Sequence, residues 1–95
     1  VTTDEITNIN NLNLSLDVNG KRMQTGNTNK MIFNVNFIVS YLSNYMSLQS
    51  GDIITTGTPS GVGMGMKPQV FLKAGDELKL SIDSLGEQNS KVVLE

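Results

Sequence analysis

The sequence predicts an α+β chain, predominantly β, with one amphipathic helix. Three observations lead there. Leu12, Leu14, Leu16 and Val18 alternate with polar residues and run into Asn19-Gly20. Val35, Ile38, Leu42 and Tyr45 recur at three and four. Leu78, Leu80 and Ile82 alternate again near the end. A period of two places one face of a strand inside and one in water, whereas a period of 3.6 marks one stripe of a helix.

Composition sets the outer limits. The chain has 95 residues, 17% of them charged, a net charge of −2, no Cys and no His. That length allows one domain or part of one, with a small core. The acidic balance argues against nucleic acid, whose phosphates call for a basic face. No apolar run approaches the roughly 18 residues that cross a bilayer. Without Cys there is no thiol nucleophile, disulfide or Cys-type zinc site. Without His there is neither a Ser-His-Asp triad nor an HExxH site within the chain. The chain opens on Val1-Thr2-Thr3-Asp4-Glu5-Ile6 and is expected to be a piece of a longer protein. Leu94-Glu95 are set aside as a possible cloning remnant.

Residues 1–11 are polar, Asn-rich and aperiodic, and are expected to connect rather than pair. Strand one begins at Leu12. Asn19-Gly20 tolerates positive φ at both centres of a type I′ turn, so the chain should fold back through Lys21–Thr25. A polar loop around Gly26-Asn27-Thr28-Asn29 closes with Met31-Ile32-Phe33, of which Met31 and Phe33 are assigned to the core. Asn34 is a suitable N-cap for a helix over 35–47, which stops before Ser50-Gly51. About three turns do not persist alone in water, so its stripe is expected to dock on a sheet. Ile53-Ile54-Thr55-Thr56 reads as a short buried strand, followed by Gly57-Thr58-Pro59-Ser60-Gly61-Val62-Gly63-Met64-Gly65. A further loop leads through Pro68 to Val70-Phe71-Leu72, and Ala74-Gly75-Asp76 turns into the next strand. Asp83-Ser84-Leu85-Gly86 turns again, into a last strand ending at Val92-Val93.

The glycine-rich loop is the feature that could carry chemistry. Glycines let backbone N–H groups come close to a ligand, and a run of them makes a concavity for an anion. Thr56 and Thr58 add hydroxyls able to donate to a carboxylate. Pro59 biases Thr58 towards an extended conformation. The competing reading is a tight loop that needs glycine only for its path. A phosphate loop of the Walker type requires Gly-Lys-Ser/Thr at its end, and none is present. Gly61-Val62-Gly63-Met64-Gly65 is spaced G-x-G-x-G, not the G-x-G-x-x-G of a dinucleotide site. Asp52 and Asp76 each follow a Gly and are assigned to turns, where Asp bonds nearby amides. Gln24 is read first as a polar strand residue. No carboxylate cluster able to hold a divalent metal unaided stands out.

Gly51-Asp52-Ile53-Ile54-Thr55-Thr56-Gly57-Thr58-Pro59-Ser60-Gly61-Val62-Gly63 resembles the C-terminal signature of the fumarylacetoacetate hydrolase family. Val18-Asn19-Gly20, Gln24-x-Gly26-Asn27-Thr28 and Met31-Ile32-Phe33 resemble that family's hairpin and loop, in the same order. Met64-Gly65-Met66-Lys67-Pro68 and Phe71-Leu72-Lys73-Ala74-Gly75-Asp76 are similar to a bacterial branch labelled ureidoglycolate lyase or diketo-deoxy sugar acid hydrolase. Thr55 departs from the pattern, which commonly has an apolar residue there.

The resemblance implies that residues 1–95 are the C-terminal third of a catalytic domain whose mixed β sheets roll around the active site. It implies a cytoplasmic, homodimeric hydrolase or lyase acting on a β-diketo or 2-oxo acid. Mg²⁺ or Mn²⁺ would be held by three carboxylates upstream of this chain, with no metal ligand or catalytic residue inside it. Thr58 would contact the substrate carboxylate, with Gly57 beside it and Thr56 nearby. The fragment's partners would be the oxo-acid substrate and the rest of its own polypeptide, and alone it would be inactive. The alternative is a non-catalytic structural or dimerisation fragment.

Overall fold

A computed structural model describes residues 1–95. Its four strands are β1 (Asn13–Val18), β2 (Lys21–Asn27), β3 (Glu77–Ile82) and β4 (Gly86–Lys91), with one helix, α1 (Val35–Ser43). They form one antiparallel sheet in the order β2-β1-β3-β4. Single 3₁₀ turns occur at Thr3–Glu5, Thr28–Lys30 and Gly63–Gly65.

β1 is the inner strand on which the order depends. Its alternation places Leu14, Leu16 and Val18 opposite Ile82, Leu80 and Leu78. Asn19 (φ 52°) and Gly20 (φ 78°) make the left-handed turn expected of that pair. Asn19 also reaches the far side of the sheet. Its backbone N–H donates to the Glu77 carbonyl at 2.8 Å, and its side-chain oxygen accepts from the Glu77 N–H at 2.9 Å. Its Nδ2 donates to Asp76 Oδ1 at 2.9 Å. At the other end of β1, Asp83 Oδ2 accepts from the backbone N–H and Nδ2 of Asn13 at 2.9 and 2.8 Å. The turns before and after β3 are thus tied to the two ends of β1.

The register of β1 with β2 shifts between Leu16 and Asp17: Leu16 faces Gln24 while Asp17 faces Arg22. Met23 is the extra residue of a β-bulge, and it turns both Met23 and Gln24 towards the same cavity. Over this region lies the glycine-rich loop. A Cβ on Gly26 would stand 3.2 Å from Pro59 Cβ, one on Gly61 2.0 Å from the Met23 carbonyl oxygen, and one on Gly63 1.7 Å from the Val70 carbonyl oxygen. Glycine is required at 61 and 63 because backbone passes directly against backbone. The loop, β1, β2 and Val70–Leu72 enclose an apolar cavity of about 240 Å³.

Several expectations need correction. Ile53–Thr56 forms no strand, and Ile53 is 88% exposed rather than buried. A strand needs a neighbour with free backbone groups in register, and no strand of this chain runs beside it. The helix ends at Ser43, not 47. Asn44 and Tyr45 bond back to the carbonyls of Tyr41 and Leu42 in the tighter i→i−3 pattern, which closes the helix. β4 ends at Lys91, before Val92-Val93. The helix does not pack on the sheet: of its stripe, Val35, Ile38 and Leu42 are half-buried and Tyr45 is 72% exposed, while Phe37, Val39 and Tyr41 beside it stay exposed. Phe33, assigned to the core, is exposed and begins a column in which Phe33, Phe37 and Tyr41 stack at centroid distances of 5.0 and 6.0 Å and Tyr45 lies tilted against Tyr41 at 5.1 Å. They recur at i,i+4: Phe37 and Tyr41 on one face of the helix, Phe33 just before it and Tyr45 just after it. One layer of sheet cannot enclose a core by itself; only Leu12, at 6% exposure, is fully buried.

Other local expectations hold. Asn34 Oδ1 caps the helix by accepting from the Phe37 N–H at 2.8 Å. Asp52 accepts from the Gln49 N–H at 2.7 Å and Asp76 from the Lys73 N–H at 2.8 Å.

Gly61→Ala should destabilise the protein by about 3 kcal/mol or more, since a positive φ of 107° and a backbone clash coincide. Gly75→Ala, with positive φ but open space, should cost about 1 kcal/mol; chemical denaturation of both variants measures the difference. Hydrogen bonds, first from Asn19 and then from the Lys73 N–H, hold the Asp76 carboxyl below its ordinary value of 3.8. A carboxylate bonded in the folded state stabilises it above that ordinary value, and the contribution disappears as pH falls through the lowered folded value. Stability measured from about pH 5 downward should therefore decline on the acid side, and less steeply in Asp76→Asn.

Candidate functional site

The site is built where the glycine-rich loop crosses β2. Gly57 has φ 86°, in the left-handed region, and Thr58 follows it immediately before Pro59. Apart from Gly57 itself and its two chain neighbours, no atom lies within 4 Å of where a Gly57 Cβ would be. Conformation, not crowding, therefore calls for glycine at 57, in contrast to 61 and 63. Thr56, Gly57 and Thr58 are all exposed, and their backbone N–H groups donate to no backbone carbonyl of the chain. Three adjacent unpaired N–H groups and two threonine hydroxyls are thus available to an incoming acceptor.

Thr58 is held from across the sheet edge. Gln24 Nε2 donates to Thr58 Oγ1 at 2.8 Å and to the Pro59 carbonyl oxygen at 2.8 Å. Pro59 rests against Gly26 on the same strand. The loop is therefore seated on β2 at three successive points: Gly26, Gln24 and the Met23 carbonyl. Gln24 also lines the apolar cavity with Leu16, Val18, Val62 and Phe71. Thr56 is outside this network.

This arrangement can bind and orient an acceptor group, and it offers no proton relay. Gly57–Gly65 contains no titratable side chain. No group of three or more Asp or Glu side chains lies close enough to hold a metal ion. The carboxyls held below their ordinary values, Asp4, Glu5, Asp76 and Glu87, owe this to local hydrogen bonds, with Thr2, Thr2, Asn19 and Asn89 respectively as the main donors.

Of the residues expected at the site, Thr58 and Gly57 stand together with free donors, and Thr56 lies beside them without a side-chain tie. Gln24, read first as an ordinary strand residue, is the one underestimated. Thirty-four positions separate it from Thr58. Its only signal was its place in the segment Gln24-x-Gly26-Asn27-Thr28.

No helix of the chain is long and apolar enough to cross a membrane. Comparison with known proteins places these features in a wider frame. The family model described as fumarylacetoacetate (FAA) hydrolase C-terminal matches residues 1–93. The chain is 54% identical over 93 residues to 2,4-didehydro-3-deoxy-L-rhamnonate hydrolase of Sphingomonas sp. (strain SKA58), covering 97% of this chain and 33% of that protein. Among solved structures, fumarylacetoacetate hydrolase from Exiguobacterium antarcticum superposes with a TM-score of 0.93 at 39% identity, over 100% of this chain and 34% of that one. Maleylpyruvate hydrolase from Sphingobium sp. SYK-6, solved with manganese(II) and pyruvate, superposes with a TM-score of 0.86 at 34% identity, over 98% and 33%. The chain spans about a third of the length of the curated relatives it matches. From the hairpin at Asn19-Gly20 to the glycine-rich loop and the final strands, this chain belongs to the fumarylacetoacetate hydrolase C-terminal family.

Proposed function

We propose that this chain supplies the carboxylate-binding part of a divalent-metal-dependent hydrolase or lyase acting on a β-diketo or 2-oxo acid. The observation that carries the reading is the exposed Thr58 hydroxyl, held by Gln24 beside the free amides of Thr56, Gly57 and Thr58. A carboxylate accepts only, and donors fixed in advance bind it with little reorganisation. The relative solved with manganese(II) and pyruvate supports both halves of the proposal, the metal and a 2-oxo acid.

The residues present here do not form a metal site, so Mg²⁺ or Mn²⁺ would be held outside this chain. Such an ion would supply Lewis acidity towards the oxo-acid group. Within this chain Thr58 donates to the substrate carboxylate, Gly57 lets the backbone turn beside it, and the Thr56 hydroxyl stands in reserve at the same loop. The assembled enzyme is proposed to be a cytoplasmic homodimer.

A second reading, a non-catalytic structural or dimerisation fragment, is favoured by the exposed aromatic column from Phe33 to Tyr45. Kinetics separate the two. In the full-length protein Thr58→Val should lower kcat/KM by about tenfold or more, because a hydrogen bond to a charged group contributes about 1.5–3 kcal/mol. An unchanged kcat/KM would remove Thr58 from the site. The 95-residue chain alone should show no turnover of acylpyruvates with Mg²⁺; measurable turnover would mean that the chain's own residues suffice for catalysis.

A further inference from the structure

Gln24 does more than anchor a loop. Its amide orientation is fixed by the Pro59 carbonyl oxygen, which can only accept, so the atom 2.8 Å away must be the amide nitrogen. The second N–H of that nitrogen meets Thr58 Oγ1, also at 2.8 Å. A hydroxyl has one proton and two lone pairs. With one lone pair of Oγ1 occupied by Gln24, the proton has to turn away from Gln24, with one lone pair left beside it. The acceptor nearest to it within the chain is the Pro59 carbonyl oxygen, at a longer 3.3 Å and already bonded to Gln24. The proton's partner within the chain is thus a long bond, and a carboxylate from outside would offer it a shorter, charge-assisted one.

We infer that Gln24 is a positioning residue that turns the Thr58 proton away from β2 so that, together with the free N–H groups of Thr56, Gly57 and Thr58, the site favours a group that only accepts, a carboxylate, over one that donates. This rests on the reading that Thr58 binds the substrate carboxylate. The surroundings of Gln24 fit the role. The bulge at Met23 turns Gln24 towards the loop. A Cβ on Gly61 would come within 3.2 Å of Gln24 Cγ, so the absence of a side chain there keeps the stem of Gln24 in place. Gln24 has no charge of its own to repel or attract the ligand, and beyond anchoring the loop at Pro59 it acts by setting the direction of one proton.

The test is a double-mutant cycle in the full-length protein with Mn²⁺, reading pyruvate affinity by titration calorimetry, with the melting temperature of each variant recorded. Gln24→Met keeps the side-chain length and removes both donors. Thr58→Val should weaken pyruvate by about tenfold, and Gln24→Met by about three- to fivefold. In the Thr58→Val background Gln24→Met should weaken pyruvate by clearly less, because no hydroxyl remains to be oriented and only the bond to the Pro59 carbonyl is lost. Gln24→Glu places an acceptor against Thr58 and should draw its proton inward, but its charge also repels a carboxylate, so it is read in both backgrounds, with a loss larger by about threefold or more where Thr58 is present; it serves as the deciding variant if Gln24→Met does not fold. Equal weakening by Gln24→Met in both backgrounds would mark a packing role and overturn the inference. So would unchanged pyruvate affinity in either Gln24 variant while Thr58→Val binds weakly, and in that case the carboxylate reading would stand. Unchanged affinity in Thr58→Val would instead sink that reading, and the role of Gln24 with it.

Discussion

Everything in this chain is referred to β1. It pairs on one side with β2, its neighbour in sequence, and on the other with β3, which arrives some sixty residues later. Closing so long a loop costs chain entropy, although that cost grows only slowly with length. The hydrogen bonds of the ladder, the Leu14, Leu16 and Val18 pairs, and the side chains of Asn13 and Asn19 at its two ends together offset it. Once β1 lies between these strands, the intervening chain must leave β2 and return to β3. The glycine-rich loop is carried back across β2 on that return.

Glycine serves two different purposes in that loop. At Gly61 and Gly63 backbone lies against carbonyl oxygens with no room for a side chain. At Gly57 the space is open and the conformation alone asks for it. The first pair seats the loop on the sheet, and the second bends the chain so that Thr58 follows a turn. Between them the Gln24 amide joins strand to loop with two hydrogen bonds from one nitrogen. A site of this kind is preorganised by its support and needs no charged side chain of its own to meet an anion.

The same economy leaves much apolar surface open. Phe33, Phe37, Tyr41 and Tyr45 touch one another ring to ring but stay open to water, and Ile53 is almost fully exposed. Docking the helix on the sheet was the natural expectation from a stripe at three and four. The stripe identifies the face that is apolar, but it carries no information about what covers that face.

How far the residues alone reach is clear from particular cases. The alternation at 12–18, the Asn19-Gly20 turn, the Asn34 cap and the Asp52 and Asp76 turns were all legible, because each depends on groups within a few positions of one another. The family was legible as well, since its motifs lie along the chain in order. Ile53–Thr56 was misread, because an apolar run becomes a strand only beside a partner. Helix and strand ends moved by a few residues, because the last hydrogen bonds decide them. Gln24 could not be linked to Thr58 from spacing, since a bulge and a sheet crossing bring them together. Local order was thus written in the sequence, where short-range sterics and hydrogen bonds act. The direction of the Thr58 proton was decided only by tertiary structure, because it depends on an amide that the fold delivers from thirty-four residues away.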